Sequence, residues 1–235
     1  MGILKRIRYS PYSPTLLKNR LFRNIPYPET TIKWYLNIHR LRPSQSFSDH
    51  DPFKTHWIDP NKITNVSSNG RPVLWSSVED GTWDQDTELF TSRPVYIALE
   101  QRYKHDVPWE ETPLVSEFES NARFGDAWGY TTPEDFEKRV QEIEQLVDSI
   151  KNNGYRTQSE LDSDDQASSN DPVPPILNEV TIDISRDGEP LWRDFGQHRL
   201  AIAKIFELSE IPVLIATRHE KWVSSIKKPC LSKYN

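Results

Sequence analysis

The run DFGQHRLAIAKIF (194–206) sets Gly196, Gln197, His198 and Arg199 directly ahead of an apolar helix. A core helix needs neither a glycine nor a His-Arg pair at its start. A loop that brings main-chain amides up to an anion uses both. Glycine has no Cβ, so ligand atoms can approach its backbone. The first turn of a helix offers unpaired N–H groups and the positive end of the dipole. Arg199 would add a planar fork for phosphate oxygens, and His198 a second donor whose charge changes near neutral pH. The same residues allow a plainer reading, in which Gly196 relieves a tight turn while His198 and Arg199 cap local carbonyls. Arg218 and His219 close the next apolar strand and could reach the same phosphates. Asp194, two residues before the glycine, is the residue that could hold Mg²⁺ or orient the loop.

Other chemistries lack their residues. The six histidines form no i, i+4 pair and no HExxH, so a histidine metal site is not expected. No P-loop, GxGxxG or GxSxG occurs. One cysteine, Cys230, allows neither an internal disulfide nor a Cys-cluster zinc site.

The elements that must position these residues can be read from patterning. VTIDIS (180–185) alternates as a strand, Arg186–Glu189 makes a turn, and a return strand beginning at Leu191 delivers the chain to Gly196. A helix over 198–208 and the strand IPVLIAT (211–217) follow. Upstream, KTHWIDPNKI (54–63) reads as a short strand and a turn, because Pro60 forces Asp59 out of helical geometry. Asn69-Gly70 suggests a hairpin over 64–76. Ser92 with Pro94, and Thr112 with Pro113, each open a helix. The strongest helix starts at Thr132 as N-cap with Pro133 behind it, runs Phe136, Val140, Ile143, Val147 and Ile150 along one face, and stops at Gly154. Alternating strands and helices give a mixed α/β (α+β) class.

This order of elements resembles the ParB/sulfiredoxin superfamily. The resemblance is carried by Asp148–Tyr155, which ends in SIKNNGY, the hairpin, Gly196-Gln197-His198-Arg199, the apolar helix and Ile211-Pro212-Val213. It implies a mixed sheet with packed helices spanning 54–218, with a large helical insertion over 77–130 and a tail at 219–235. Residues 159–175, almost without apolar side chains and with three prolines, read from composition as a flexible loop. The resemblance also implies nucleotide phosphate binding at the Gly-Gln-His-Arg turn. Within that family, sulfiredoxin chemistry needs a cysteine where Gln197 stands. Partition proteins need an acidic residue there and a helix-turn-helix domain, for which the 18 residues after 217 leave no room. The branch that remains closest is that of nucleotide-dependent kinases of small molecules, which need a carboxylate base near the acceptor hydroxyl. SVEDGTWDQD offers Glu79, Asp80, Asp84 and Asp86, and Asp84 beside Trp83 is the candidate base. ATP, ADP or CTP, with Mg²⁺, would be the cofactors, and a small molecule the acceptor.

Charge adds an alternative. Residues 1–42 hold nine Lys/Arg against one acid, Glu29, whereas the rest of the chain carries a net −14. A basic extension of this kind either folds back on an acidic body or meets nucleic acid, so a non-catalytic nucleic-acid-associated protein is the competing function. No stretch approaches the roughly 18–20 apolar residues of a membrane span, and no signal peptide is evident. A cytoplasmic location is expected.

Overall fold

A computed structural model describes residues 46–48, 50–69, 75–123, 132–164 and 178–227, with single positions at 30, 34 and 37. The basic extension at 1–42 and most of the 159–175 loop lie outside the described residues.

Eight short strands among the described residues form one mixed sheet. In chain order these are β1 (Ser46–Phe47), β2 (His56–Ile58), β3 (Asn65–Val66), β4 (Ser77–Glu79) and β5 (Glu88–Leu89), followed by β6 (Val180–Ile184), β7 (Pro190–Trp192) and β8 (Ile211–His219). Six helices accompany them: α1 (Pro94–His105), α2 (Pro113–Arg123), α3 (Pro133–Asn153), α4 (Gln158–Ser163), α5 (Gln197–Ile205) and α6 (Glu220–Lys227).

The nine residues of β8 make it the axis of the sheet. Its first half pairs antiparallel with β2 (Ile58↔Ile211), its second half pairs parallel with β4 (Ser77↔Thr217), and its other edge pairs parallel with β6 (Val180↔Val213). The antiparallel β6–β7 hairpin then leads outward to β3 and β5. The class is therefore mixed α/β, as the alternation of elements requires.

Packing follows from the alternation along β6. Val180 and Ile182 face a core built with Trp192, Ile211, Val213 and the helices, whereas Thr181 and Asp183 face the other side. α5 is apolar all round, with Leu200, Ala201, Ile202, Ala203 and Ile205 buried, so it can lie only between the sheet and other helices. α1 packs against it. α3 begins as its sequence dictates: Thr132 Oγ1 accepts from Asp135 N (3.2 Å) while Asp135 Oδ2 accepts from Thr132 N (2.8 Å), a reciprocal capping box.

Some expectations change. The stretch 77–130 supplies β4 to the sheet and α1 to the core, so it is built into the domain. β3 takes β5 and β7 as partners in place of a local hairpin strand, and residues 70–74 lie outside the described residues. The segment after β8 forms α6, whereas the reading from sequence leaves it a tail.

Candidate functional site

The turn into α5 is set by β6. Arg193 N donates to Thr181 O (2.8 Å) and Thr181 N to Phe195 O (3.3 Å), holding 193–195 along the start of β6. The chain then rises through two left-handed residues, Asp194 (φ 43°) and Gly196 (φ 73°). A Cβ on Gly196 would stand 2.7 Å from Val180 Cα and 2.9 Å from its N. The glycine is thus demanded by contact with β6. That contact is a physical reason for its place and agrees with the plainer reading of a tight turn.

Arg199 turns inward. It is 7% exposed, and its Nη1 donates to Glu179 Oε2 at 3.1 Å while Nη2 donates to Asn178 O. Glu179 also accepts from Gln158 N, which ties α4 to the same cluster. Burial raises the Glu179 carboxyl above its usual range, with Arg199 opposing. The fork expected to face a phosphate is occupied by these partners, as in the plainer capping reading.

Gln197 and His198, by contrast, point toward residues that the sequence alone did not associate with them. Arg93, the cap residue of α1, donates from Nη2 to Gln197 Oε1 (3.2 Å), and its guanidinium lies 5.1 Å over the Trp192 ring. Arg139 of α3 sets Nη2 3.4 Å from His198 Nδ1 and Nη1 3.1 Å from Glu142 Oε2. Burial first, then Arg139 and Arg199, push the His198 imidazole well below its ordinary range. The ring is therefore neutral through the physiological range, in correction of the expectation that its charge changes near pH 7. Glu117 of α2 completes the group. Burial raises its carboxyl, opposed by Arg93 and Arg139. Among the described residues, two atoms here are buried without a hydrogen-bond partner, Arg93 Nε and Glu117 Oε2.

Asp84 and His219 come together at the other end of the sheet, 3.8 Å apart, while Arg218 turns to Ser48. Gly196 abuts Val180, where β6 begins, whereas Arg218 and His219 stand where β6 and β8 end (Ile184↔Arg218). At about 3.3 Å per residue the two ends of β6 stand roughly 13 Å apart. Asp84 is gripped by Arg186 through Nε (2.9 Å), Nη2 (2.8 Å) and the main-chain N (2.8 Å). Burial opposes its ionisation, but those bonds prevail and bring its pKa to about 2. A carboxylate so held is a weak proton acceptor. His219 accepts at Nδ1 from Lys221 N (3.1 Å), so Nε2 carries the hydrogen and donates to Gly81 O at 3.0 Å. Its ring lies 5.5 Å from that of Trp83. Asp194 Oδ2 lies 3.9 Å from Arg193 Nε.

Beneath this end runs a buried polar chain on the face of the sheet away from the helices. Arg193 Nη1 donates to Asp183 Oδ2 (2.8 Å) and to Thr217 Oγ1 (3.2 Å), Ser67 Oγ donates to Asp183 Oδ2 (2.7 Å), and Ser77 Oγ reaches both Thr217 Oγ1 (3.1 Å) and Glu79 Oε1 (3.2 Å). Above it lies an open pocket of about 500 Å³ walled by Asn69, Asp80, Thr82, Trp83 and Asp86.

No family model, curated protein or solved structure matches the chain. Two positions of the predicted turn, Gln197 and His198, are brought together with Arg93, Arg139 and Glu117, which sequence reasoning missed. Arg93 carried a signal, since a basic residue just before a helix-opening Pro94 is ill suited to a helix N-terminus unless its charge serves elsewhere. Glu117 and Arg139 carried none, being charged residues on helices with many others.

Proposed function

We propose that the charged group at the N-terminal end of α5 binds the phosphates of a nucleotide and promotes phosphoryl transfer to a hydroxyl of a small molecule. One observation carries the reading: among the described residues Arg93 Nε is a buried donor without an acceptor and Glu117 Oε2 a buried acceptor without a donor, and the two side chains are close enough for Arg93 to act on the Glu117 carboxyl. Buried groups of this kind are few in a native fold, and a phosphate oxygen and a substrate hydroxyl would supply these two with partners. The Gly-x-His-Arg resemblance supports the same ligand.

In this reading the first turn of α5 and the guanidinium groups of Arg93 and Arg139 neutralise the phosphates. Gln197 positions Arg93, and neutral His198 leaves Arg139 its full charge. Glu117 takes the base role that sequence gave to Asp84. It accepts the proton of the acceptor hydroxyl as that oxygen bonds to the terminal phosphorus and the bond to the departing nucleotide oxygen breaks. A carboxyl raised toward working pH suits this role better than one held at about 2. ATP, ADP or CTP fits the phosphate chemistry alike. Mg²⁺ takes one or two carboxylates plus phosphate oxygens, so it would enter with the nucleotide, Asp194 being the nearest carboxylate to the turn in sequence.

Purified protein should consume ATP or CTP in Mg²⁺ without nucleic acid, and Arg93→Ala should weaken nucleotide binding at least about tenfold. Calorimetry that finds no heat with ATP, ADP, CTP or GTP, at concentrations to the millimolar range, rejects the reading.

A further inference from the structure

Trp83 is 7% exposed, and among the described residues its indole Nε1 is a buried donor without an acceptor. A donor left in that state is costly. The ring is part of the wall of the open pocket of about 500 Å³. A Cβ on Gly81, an exposed residue of the same wall, would stand 3.7 Å from Trp83 Cδ1, the carbon bonded to Nε1. The N–H edge of the indole is therefore turned toward Gly81, at the pocket.

The wall is an irregular loop anchored from beneath. Trp83 O accepts from Ser68 N (3.1 Å) and from Ser68 Oγ, and the indole lies 5.5 Å from the His219 ring. Gly81 O accepts from His219 Nε2 (3.0 Å) and Arg186 Nη2 (2.9 Å), and Asp84 is tied to the same arginine. Gln85 N closes a turn on Thr82 O (2.9 Å). These bonds fix the main chain and leave Asp80 and Asp86, one on each side of the anchored residues, exposed in the wall. A site held in shape before its ligand arrives loses little order on binding.

We infer that this pocket binds a neutral polyhydroxylated ring, a sugar or a cyclitol, with one hydroxyl oxygen accepting from Trp83 Nε1 and other hydroxyls donating to the Asp80 and Asp86 carboxylates. The chemistry of the three groups selects it. An indole N–H only donates and an ionised carboxylate only accepts, so the ligand must do both. A hydroxyl does both, through one O–H and two lone pairs. Two carboxylates in the wall repel an anion, and an ammonium group has no lone pair to offer the indole. The pocket lies at the end of the sheet away from Gly196, and the inference does not rest on the nucleotide reading.

The test titrates the full chain with D-glucose, D-galactose, D-ribose and myo-inositol while following the assigned indole N–H cross-peak of Trp83 in ¹H–¹⁵N correlation spectra. At least one of the four should move that peak saturably in the millimolar range. Trp83→Phe keeps an aromatic ring and removes the donor, and should weaken calorimetric binding of that compound about two- to tenfold. Asp86→Asn should weaken it at least about tenfold with Tm unchanged. Asp86 is exposed with φ at 49°, a backbone region that asparagine tolerates, so this variant decides the matter even where Trp83→Phe fails to fold. A Trp83 peak that none of the four moves overturns the inference, and so does equal affinity in Asp86→Asn and wild type. Putrescine serves as the competing probe. If it moves the peak at a lower concentration than every one of the four, the pocket takes an amine and the inference fails.

Discussion

Arg199 and Arg139 are both arginines beside the same turn, and their mutations should have opposite signatures. Arg199 ends on buried Glu179, so Arg199→Ala leaves a carboxylate uncompensated and should cost about 3–5 kcal/mol by chemical denaturation. Arg139 is partly open to solvent, its side chain 35% exposed. Arg139→Ala should change stability by less than about 1 kcal/mol while weakening nucleotide binding. The turn at 196–199 was legible in the sequence. That Arg199 would point inward was not, because Glu179 is 20 positions away and only the β6–β7 hairpin brings it under α5.

Elements were legible in proportion to how local their causes are. α3 carries its own cap, its apolar stripe and its stop, and forms as read. β4 has three residues and no periodicity of its own, and it exists because β8 offers an edge to it. For the turn element, Gly196→Ala should cost at least about 2 kcal/mol, combining a left-handed backbone with contact against Val180. A Tm loss under a degree would contradict that packing account. The start of α5 also predicts a pH dependence. His198 is neutral in the fold and binds a proton in the unfolded chain below its ordinary 6.5, so the unfolded state holds more protons in that window. Stability should therefore fall as pH drops below about 6.5, and His198→Gln should flatten the slope of Tm against pH between 6.5 and 5.

At the scale of the whole molecule, the Asp84–Arg186 tie joins the loop after β4 to the turn after β6, across 102 positions of sequence. Asp84 has a depressed carboxyl, so its contribution is present above the unfolded value near 3.8 and disappears as pH falls toward 2. Asp84→Asn should cost roughly 2 kcal/mol near neutral pH and reduce the acid sensitivity of unfolding below pH 4, with little change in nucleotide turnover. A hundredfold loss of turnover in that variant would restore Asp84 as a base. Sequence reading placed Asp84 and Gly196 in one site because both sat in chemically suggestive runs. The sheet separates them by the length of β6, a distance that no local pattern encodes.

The central claim, that phosphoryl transfer occurs at the start of α5 with Glu117 as base, is tested most directly by comparing nucleotide Kd and kcat in wild type and Glu117→Gln. The variant keeps the shape of the side chain and removes a buried charge, so the fold should be at least as stable as wild type. Nucleotide Kd should stay within a few-fold, and kcat should fall by about 100-fold or more. An unchanged kcat in a well-folded Glu117→Gln protein would contradict the account.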